Sequence, residues 1–348
     1  MPKSEPQFII PFAKPSGITS FTSLWQVKHT LGTKKVGHTG TLDSFADGLL
    51  VLLSGKLTKL VPYITDFDKT YRVLFYFGKE TDTLDPEGTV IGEKPLPVYA
   101  DVVSVIRQLT GTIEQVPPVY SAVKQAGERL SDRIRRGETV TVPPRTVTIY
   151  SIDIEEIFYA PEPDTNRENP EMSAVRKVLG AVLCVRCSKG TYIRSLVRDI
   201  AHRCGSAAYA YALRRTAVGP FTLEQAAGFS ALPPFGNAAA YAVNADSTDT
   251  PSDCADSAAV PHSVPDEAIK QAALPLSEDL ACAMHFQETE LKEQYYAAFM
   301  NGKPISGHWF TSAQPLSDDG TTAVFYEGRC AGLITKNGSR FHYQIGNL

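Results

Sequence analysis

The sequence contains no apolar run long enough to cross a membrane. A transmembrane helix needs about 20 apolar residues, whereas the longest such run near the start of the chain covers only residues 8–11. This run is also too short for a secretory signal peptide. Hydrophobic residues make up 43% of the 348 residues and charged residues 21%, as in ordinary globular proteins. We therefore expect a cytoplasmic protein without a membrane partner.

Cysteine is scarce and scattered through the chain. Without a secretion signal, scattered cysteines indicate reduced thiols and not a disulfide framework. Cys184 and Cys187 form a CxxC motif, but the surrounding residues have the pattern of a strand, in which positions three apart point to opposite faces. A second such pair is missing from the sequence, so we expect no metal site.

Positive charge is also in short supply, because the formal net charge is -4. An RNA partner needs Lys and Arg to contact its phosphates. The charge is unevenly distributed, however, since residues 238–266 carry several Asp but no Lys or Arg, and residues 186–215 carry seven Lys and Arg against one Asp. This second stretch is either a basic RNA-binding surface or an ordinary solvated charged face.

Periodic patterns predict a mixed α and β protein. Ser20 suits the N-cap of a helix, because apolar residues follow it at helical spacing as far as residue 31. The run from Lys69 to Phe77 has the composition of a strand. Further predicted elements are strands at 139–142, 147–154 and 182–187 and helices at 100–109 and 196–202.

The composition changes after residue 231. As far as about residue 269, Ala, Ser, Asp and Pro dominate with little periodicity, and such a stretch buries little apolar surface. A helix is predicted beyond it at 288–300, with strands at 322–326, 330–335 and 341–345. We predict a first domain at 1–228, a flexible linker or insertion at 229–270 and a small β-rich domain at 271–348. A second loop-like insertion is predicted at 161–172.

The stretch most informative about chemistry is Gly37-His-Thr-Gly-Thr-Leu-Asp-Ser-Phe-Ala-Asp-Gly-Leu-Leu. Its glycines let the backbone come close to a ligand, and Asp43 is the only acidic residue in its first part. A turn held by an aspartate side chain would explain the same pattern. The loop alone therefore leaves a ligand site and a structural turn both open.

This stretch resembles the signature loop of the TruB family of tRNA pseudouridine synthases, GHxGTLDPxAxGxL. Residues 37–50 match that signature at all but one fixed position. Further stretches resemble the family in the same order along the chain, namely residues 68–72, 78–88, 115–124, 187–196 and 213–216. The resemblance therefore extends over most of residues 11–225.

The resemblance implies a pseudouridine synthase fold of the α/β (α+β) class, in which a central mixed sheet carries the active site in a cleft. A small β-rich, PUA-like C-terminal domain is expected to follow. The implied reaction converts uridine to pseudouridine in the T-loop of tRNA, at position 55, by flipping the base. Because this reaction has no redox change and no net hydrolysis, no metal or organic cofactor is expected. The expected partner is the T-stem-loop of tRNA, with no obligate protein partner, and the protein is expected to be a monomer.

The resemblance also assigns catalytic roles. Asp43 matches the family nucleophile, which either attacks the anomeric carbon or takes a proton from C2′ to give a glycal, and the sequence leaves both routes open. Arg194 matches the arginine that pairs with this carboxylate. Tyr71 matches the tyrosine that stacks on the flipped base, and its hydroxyl is available for proton transfer at C5.

Residues that bind RNA are assigned in the same way. His38 matches a histidine beside the flipped nucleotide, and Tyr192 and Leu213 match positions that line the uracil pocket. Taken alone, each would be read as an ordinary structural or buried residue. Six cations in or beside the matching stretches are assigned to RNA phosphates or to loop positioning: Lys14, Lys69, Lys124, Lys189, Arg214 and Arg215.

The sequence departs from the family pattern at four positions, and none of them removes an assigned catalytic group. Ser44 replaces the proline after the nucleophile, which loosens the loop entropically. Asp47 replaces a small or hydroxylated residue and adds a second carboxylate, which is expected to weaken nearby phosphate binding. Ser131 and Ala201 stand where an aromatic residue and a glycine are common.

Two other functions fit part of the sequence. An RNA-binding chaperone that opens and re-forms the tRNA elbow would need no chemistry, although the presence of Asp43, Tyr71 and Arg194 together favours catalysis. An aspartate-dependent hydrolase of a small substrate would share the nucleophile. It would leave the Arg-rich stretch and the C-terminal domain without a purpose.

Overall fold

The structure is a computed structural model that describes residues 5–120, 124–125, 128–129, 136, 140, 142–161, 175–236, 264–311, 316–318 and 320–348. Its strands are β1 (Ile9–Lys14), β2 (Val36–His38), β3 (Asp47–Ser54), β4 (Lys69–Phe77), β5 (Lys79–Thr81), β6 (Val90–Glu93), β7 (Gly111–Gln115), β8 (Lys124–Gln125), β9 (Glu128–Arg129), β10 (Arg145–Tyr159), β11 (Val178–Cys187), β12 (Ala208–Val218), β13 (Phe221–Thr222), β14 (Gln287–Leu291), β15 (Phe310–Thr311), β16 (Thr321–Tyr326), β17 (Arg329–Asn337) and β18 (Arg340–Gly346). Its α-helices are α1 (Ser20–Leu31), α2 (Val61–Thr65), α3 (Tyr99–Gln108), α4 (Ile193–Arg203), α5 (Asp266–Gln271), α6 (Glu278–Ala283) and α7 (Glu293–Met300).

One large mixed sheet organises the first part of the chain, in the strand order β1-β3-β12-β4-β11-β10-β7. The pairing of β3 with β12 is parallel, and the other pairings along this path are antiparallel. The core on one side of the sheet combines apolar residues of β4, β11 and β12 with those of α3 and α4. The sheet and these two helices thus form a layered α/β structure, as predicted.

Strand β3 explains why the sheet is covered on both faces. Its run Leu49-Leu-Val-Leu-Leu is fully buried, which is typical of a strand enclosed between two layers. Because successive side chains in a strand alternate, Leu49 and Leu53 enter one hydrophobic cluster, whereas Leu50 and Leu52 enter another with α1 and α5.

The predicted elements correspond to observed ones with two differences. The strand at 69–77 is present as predicted, and the helices at 100–109 and 196–202 correspond to α3 and α4. The predicted helix at 288–300 is wrong in its first turn, which belongs to strand β14. There Thr289 and Leu291 are buried while Glu288 and Glu290 are exposed, and this alternation suits a strand beside β16. In the strand predicted at 139–142, Val140 and Val142 are not in a strand, and residues 139 and 141 lie outside the described residues.

The predicted flexible linker is packed against the first domain at both of its ends. A 3-10 turn covers Phe229–Ala231, and α5 lies against α1, with Ile269 fully buried. Thr30 donates to the Asp266 carboxylate at 2.5 Å. Val264 and Ile269 are therefore buried at the second of these ends, whereas Phe229 at the first is 39% exposed. Residues 237–263 lie outside the described residues, as does most of the insertion predicted at 161–172.

The C-terminal part forms a second sheet, in the order β15-β14-β16-β17-β18. Its apolar residues, including Phe286, Phe325 and Ile345, share one cluster with Ile9 of β1 and Leu53 of β3. Polar contacts join the two parts as well, since Lys56 donates to the carbonyls of residues 346 and 347 at 2.7 Å each. The two sheets thus share a core. Among the described residues, none of the helices has the length and apolar character that crossing a membrane requires.

Candidate active site

Asp43 lies in the loop between β2 and β3, residues 39–46, which we call the catalytic loop. The chain returns to the sheet at Gly48, which pairs with Arg215 of β12. A Cβ atom at Gly48 would lie 2.4 Å from the Arg215 carbonyl oxygen, and the φ of Gly48 is +107°. Only glycine permits this approach, so Gly48 sets the point at which the loop meets the sheet.

Arg194, in the first turn of α4, holds both oxygens of the Asp43 carboxylate. Nε donates to Oδ2 at 2.9 Å and Nη2 donates to Oδ1 at 3.0 Å. The Arg194 side chain is 5% exposed and that of Asp43 is 36% exposed. A bidentate pair favours the ionised carboxylate and fixes its orientation, while the exposed part of Asp43 remains open to a substrate. The structure thus brings together the two residues that were predicted to pair.

Asp85 is a second carboxylate on Arg194, and the sequence suggested no role for it. Nη1 donates to Asp85 Oδ2 at 2.9 Å and to the Thr83 carbonyl at 2.8 Å, and Nη2 donates to the Tyr120 carbonyl at 3.1 Å. All five N–H groups of the guanidinium therefore have acceptors. Burial raises the pKa of the Asp85 carboxyl, while the Thr83 hydroxyl and the Arg194 charge oppose that rise. This network leaves Arg194 a single orientation.

The turn that carries Asp85 is itself constrained. Leu84 has a φ of +62°, which is uncommon for a residue with a Cβ atom, and its side chain is buried. Its carbonyl accepts from the Ala210 amide of β12 at 3.1 Å. The surrounding packing therefore holds the turn in place, and this directs both Asp85 and the Thr83 carbonyl towards Arg194.

Buried polar groups anchor the catalytic loop on both sides of Asp43. Ser20 Oγ donates to the Leu42 carbonyl at 3.0 Å and accepts from the Leu42 amide at 2.8 Å. Lys14 Nζ donates to the Ser44 carbonyl at 3.3 Å. Because both neighbours of Asp43 are anchored, the carboxylate is positioned by the protein before a substrate binds.

Ser44 makes a contact that the family's proline could not make. Its hydroxyl lies 2.5 Å and 2.7 Å from the two carboxylate oxygens of Glu87, to which it donates. The contact joins the catalytic loop to the turn that carries Asp85. It therefore offsets part of the entropic loosening that serine introduces at this position.

Tyr71 and Leu213 lie on adjacent strands β4 and β12, in one hydrophobic cluster with Leu42 of the catalytic loop. Burial raises the pKa of the Tyr71 hydroxyl, and the nearby charge of Arg215 opposes that rise. The phenol is therefore protonated at neutral pH. An aromatic ring and an aliphatic side chain are thus placed together beside the catalytic loop.

His38 is the last residue of β2 and directly precedes the catalytic loop. Its Nδ1 accepts from the Gly40 amide at 3.4 Å. Burial lowers the pKa of His38, and the charge of Arg215 lowers it further. The imidazole is therefore neutral at pH 7, which suits stacking or hydrogen bonding and not ion pairing.

Tyr192 directly precedes α4 and therefore lies two residues before Arg194. Its backbone amide donates to Gln115 Oε1 at 2.8 Å. Its ring packs in a small cluster with Val119, Val140 and Val142. The structure thus places Tyr192 in a different cluster from Tyr71 and Leu213.

Two of the six assigned cations are lysines that point into the protein. Lys14 Nζ donates to the carbonyls of Pro15 and Ile18 at 2.9 Å and 2.7 Å, and Lys69 Nζ donates to the carbonyls of residues 65 and 67. Burial lowers the pKa of Lys14 and of Lys69 to about 8 each. Both ammonium groups therefore hold backbone next to the catalytic loop or β4.

The other four assigned cations differ in exposure. Arg215 is buried, and it donates to the Leu49 carbonyl at 2.7 Å and the Gly40 carbonyl at 3.1 Å. Arg214 is also buried. Lys189 is exposed and pairs with Asp66 at 2.8 Å. Lys124 lies on the short strand β8.

Asp47 forms the second carboxylate–arginine pair of this region. Arg214 Nε donates to Oδ1 at 2.7 Å and Nη2 donates to Oδ2 at 2.6 Å. The guanidinium lies over the Phe235 ring at 5.3 Å from its centroid and also donates to the Pro233 carbonyl at 2.8 Å. The extra carboxylate noted in the sequence is therefore neutralised by its own arginine.

Reasoning from the sequence alone missed several residues that build this site. Asp85 and Glu87 lie within residues 78–88, whose family resemblance was noted without assigning a role to any residue. The acidic residues of that stretch were a signal that could have been followed. Ser20 was read only as a helix cap, and nothing in the sequence indicates its contact with Leu42.

The CxxC motif has the arrangement expected of a strand. Cys187 is buried in the core and Cys184 is half-buried, and both lie on β11. Burial raises the pKa of the Cys187 thiol to about 12. Within the described ranges, His, Cys, Asp and Glu side chains form no cluster of three or more that could bind a metal ion.

Comparison with known proteins identifies the family. Residues 28–193 match the model of the TruB family pseudouridylate synthase N-terminal domain. The tRNA pseudouridine synthase B of Treponema pallidum is 42% identical to this chain, over 98% of this chain and 97% of that protein. The protein of the same name from Treponema denticola is 52% identical, over 64% of this chain and 63% of that protein.

A solved structure has the same fold. In the structure of an H/ACA RNP bound to a substrate RNA containing 2′-deoxyuridine, one chain superposes with a TM-score of 0.58 at 20% sequence identity. The match covers 98% of this chain and 85% of that one. The predicted fold and the family resemblance are therefore confirmed. This chain belongs to the TruB family of pseudouridylate synthases.

Proposed function

We propose that this protein isomerises uridine to pseudouridine in tRNA, and that its target is the T-loop uridine at position 55. The observation that carries the proposal is the bidentate pair between Asp43 and Arg194, which presents a part-exposed carboxylate beside Tyr71 and Leu213. The named relatives, at 42% and 52% identity, support tRNA as the substrate. The flipped uridine lies with its ribose at Asp43 and its base at Tyr71.

The chemistry follows from these groups. Asp43 either attacks the ribose C1′ or removes the C2′ proton, and in both routes the bond from C1′ to N1 breaks and the uracil leaves as an anion. The base turns while it is held against Tyr71. The bond from C1′ to C5 then forms as the ester bond from C1′ to Asp43 breaks, or, in the glycal route, as Asp43 returns the proton to C2′. The proton on C5 is lost and N1 takes up a proton. Arg194 keeps Asp43 ionised and correctly oriented before the first step. Atoms balance without a metal or an organic cofactor.

We propose a division of labour among the assigned cations. Lys14, Lys69 and Arg215 position the loop and its neighbours, because their donors are directed at backbone carbonyls, and Arg214 does so through Asp47. Lys189 contacts RNA phosphate, because it is exposed and its partner Asp66 is exposed too. The part of the basic stretch that meets RNA is therefore smaller than its charge count suggests.

The substrate proposal is tested with tRNA labelled with tritium at C5 of uridine. Release of tritium follows the exchange of the glycosidic bond to C5, and mapping of the product locates the modified nucleotide. We expect modification at position 55 only, and none in a matched tRNA with cytidine at that position. Release of free uracil, or RNA annealing by the protein without tritium release, would favour the hydrolase or the chaperone instead.

We propose that residues 1–228 carry the catalytic site and that residues 271–348 form a PUA-like domain, but that the two share one folding unit. A chain ending at residue 228 loses the partners of Ile9, Leu49 and Leu53 in the shared cluster. Each buried aliphatic side chain contributes about 1.5–3 kcal/mol, against a total stability of about 5–15 kcal/mol. We expect this truncation to be insoluble, and soluble, active protein would show that 1–228 folds alone.

We further propose that the protein works as a monomer in the cytoplasm, with no obligate protein partner. Sedimentation velocity of the purified protein is expected to give one species near its mass of 37.9 kDa. Full activity of that species on tRNA transcript, without added protein, checks the second half of the proposal. Activity confined to a heavier species would contradict it.

A further inference from the structure

Helix α1 carries a stripe of aromatic and cationic side chains that the site described above does not use. Phe21 is 72% exposed and Trp25 is 70% exposed. Lys28 lies over the Phe21 ring, 5.7 Å from its centroid, and the His29 ring stacks on Trp25 with an interplanar angle of 2°. Since residues four apart share one face of a helix, these four side chains form one surface, which we call the α1 stripe.

The packing of α1 gives no reason for these aromatic residues. The helix is held to the protein by its opposite face, where Leu24 and Val27 are buried against β1, β3 and Ile269 of α5. Large aromatic rings gain stability only where they are covered. Two neighbouring rings left exposed on a helix therefore point to a binding surface.

The charge around the α1 stripe favours an anionic partner. On and just after α1 stand Lys28, Lys34 and Lys35, against two carboxylates beside the helix, those of Asp266 and Glu5, which accept hydrogen bonds from Thr30 and Thr33. Lys34 and Lys35, which follow the helix, are exposed. Exposed rings that lie among cations are the arrangement by which proteins bind unpaired nucleotides, because the bases stack on the rings and the cations face the phosphates.

The first turn of α1 is joined to the catalytic loop. Ser20, the first residue of α1, exchanges two hydrogen bonds with Leu42, at 3.0 Å and 2.8 Å. Leu42 precedes Asp43, and Phe21 follows Ser20. The α1 stripe therefore begins next to a residue that contacts the catalytic loop.

We propose that the α1 stripe binds an unpaired nucleotide of the RNA substrate outside the catalytic pocket, with its base stacked on Trp25 and its phosphates near Lys28, Lys34 and Lys35. The proposal rests on the proposed function, because it takes the RNA at Asp43 as its starting point. It adds a second contact for the RNA, which acts on affinity and not on the chemical step. Loss of one stacked base is expected to weaken binding by about tenfold.

Trp25 provides a direct probe of this contact. The only other tryptophan in the sequence is Trp309, which is buried. In a Trp309→Phe, Asp43→Asn protein, fluorescence comes from Trp25 alone and the RNA is not converted. We expect iodide to quench this fluorescence in the free protein, and a T-stem-loop RNA to quench it and to protect it from iodide.

Kinetics of Trp25→Ala in the otherwise natural protein complete the test. We expect KM for the T-stem-loop to rise about tenfold while kcat is unchanged, and we expect Trp25→Phe, which keeps a ring, to recover most of the loss. Ile91→Ala, at another exposed apolar residue, is the matched control and should leave KM unchanged. A merely structural role for Trp25 would lower the melting temperature instead, and would give no protection from iodide.

Several outcomes would overturn the proposal. If Trp25→Ala left both KM and the dissociation constant unchanged, the α1 stripe would not bind RNA. The proposed function would remain intact, since the natural protein would still be active. Trp25 fluorescence that iodide cannot quench in the free protein would mean that the stripe is already covered. Self-association that Trp25→Ala abolishes would identify a second copy as the occupant. If the natural protein converted no RNA, the proposed function would fail, and the fluorescence titration with RNA would still decide whether the stripe binds it.

Discussion

The catalytic loop and the start of β3 carry the same chemical pair in two different environments. In the loop, the Asp43 side chain is 36% exposed and lies on an arginine that is 5% exposed. At the start of β3, the side chains of Asp47 and its partner Arg214 are only 10% and 9% exposed. Both carboxylates are bidentate with a guanidinium, so the pairing itself does not distinguish them. Their exposure to solvent does, because the Asp43 carboxylate is part-exposed and the Asp47 carboxylate is not.

The arginines also differ in what lies behind them. Arg194 is held by Asp85 and by two backbone carbonyls, so its charge is shared between two carboxylates. Arg214 is covered by Phe235 and the Pro233 carbonyl. The Asp43–Arg194 pair is therefore part-exposed, as a reactive group must be. The Asp47–Arg214 pair is a buried ion pair that joins β3 to β12. The comparison implies that charge removal at the two positions has opposite consequences for activity and stability.

The largest expected effect is on the activity of Asp43→Asn. Asparagine keeps the shape of the side chain but cannot act as nucleophile or base, so pseudouridine formation should fall by about 10⁴-fold. RNA affinity should stay within about tenfold, because phosphate and stacking contacts supply most of the binding. Single-turnover tritium release and a binding titration measure the two quantities. Asp101→Asn, at an exposed carboxylate of α3, is the control, and normal turnover by Asp43→Asn would end the assignment.

Asp47→Asn should reverse this pattern. It leaves the buried Arg214 charge without its partner, and breaking a buried ion pair in this way costs about 3–5 kcal/mol of unfolding free energy. Urea denaturation measures the loss. The rate at saturating RNA, per folded molecule, should stay within about threefold of the natural protein. Unchanged stability with a large loss of rate would show that Asp47 takes part in the chemistry.

Asp85→Asn should have an intermediate effect, because Asp85 acts through Arg194. Loss of this carboxylate relaxes the guanidinium, and a small displacement of a catalytic group costs up to about 10²-fold in rate. We expect kcat to fall by about 10–10²-fold with KM unchanged. Asp82→Asn, at a half-buried carboxylate of the same turn that accepts from the Thr89 amide, is the matched control. Equal effects of the two substitutions would mean that only the turn matters.

The smallest expected effect concerns Lys14 and pH. Its pKa is lowered by burial to about 8, while the unfolded chain keeps the ordinary value of about 10.4. Between these values the unfolded chain binds a proton that the folded protein does not, so the free energy of unfolding rises with pH. Relative to Lys14→Met, the natural protein should gain about 1–2 kcal/mol between pH 7.5 and 9.5 in urea denaturation. A gain of the opposite sign would contradict the burial of a lowered-pKa lysine.

Local patterns predicted much of the secondary structure because each depends on residues near in sequence. Strand β4 was bounded correctly by the run from Lys69 to Phe77. Helix α1 was bounded to within one residue, since its N-cap is Thr19 and not Ser20. The prediction of a helix at 288–300 was wrong in its first turn, because Thr289 and Leu291 are buried in a strand beside β16, which lies far along the chain. The linker prediction did not anticipate α5 for a similar reason, since Val264 and Ile269 are buried against residues of α1 that lie far away in the sequence.

The sequence by itself determined the family, the reaction class and the identity of the predicted nucleophile, because the order of residues around Asp43 is a local pattern that can be read directly. Only the tertiary structure decided which charges are available. It directed Lys14 to the Ser44 carbonyl and Arg215 to the Leu49 carbonyl, paired Asp47 with Arg214 and placed Asp85 behind Arg194. These contacts join residues 30 to 170 or so positions apart, and the strength of a charge depends on its burial and partners, which a sequence does not contain.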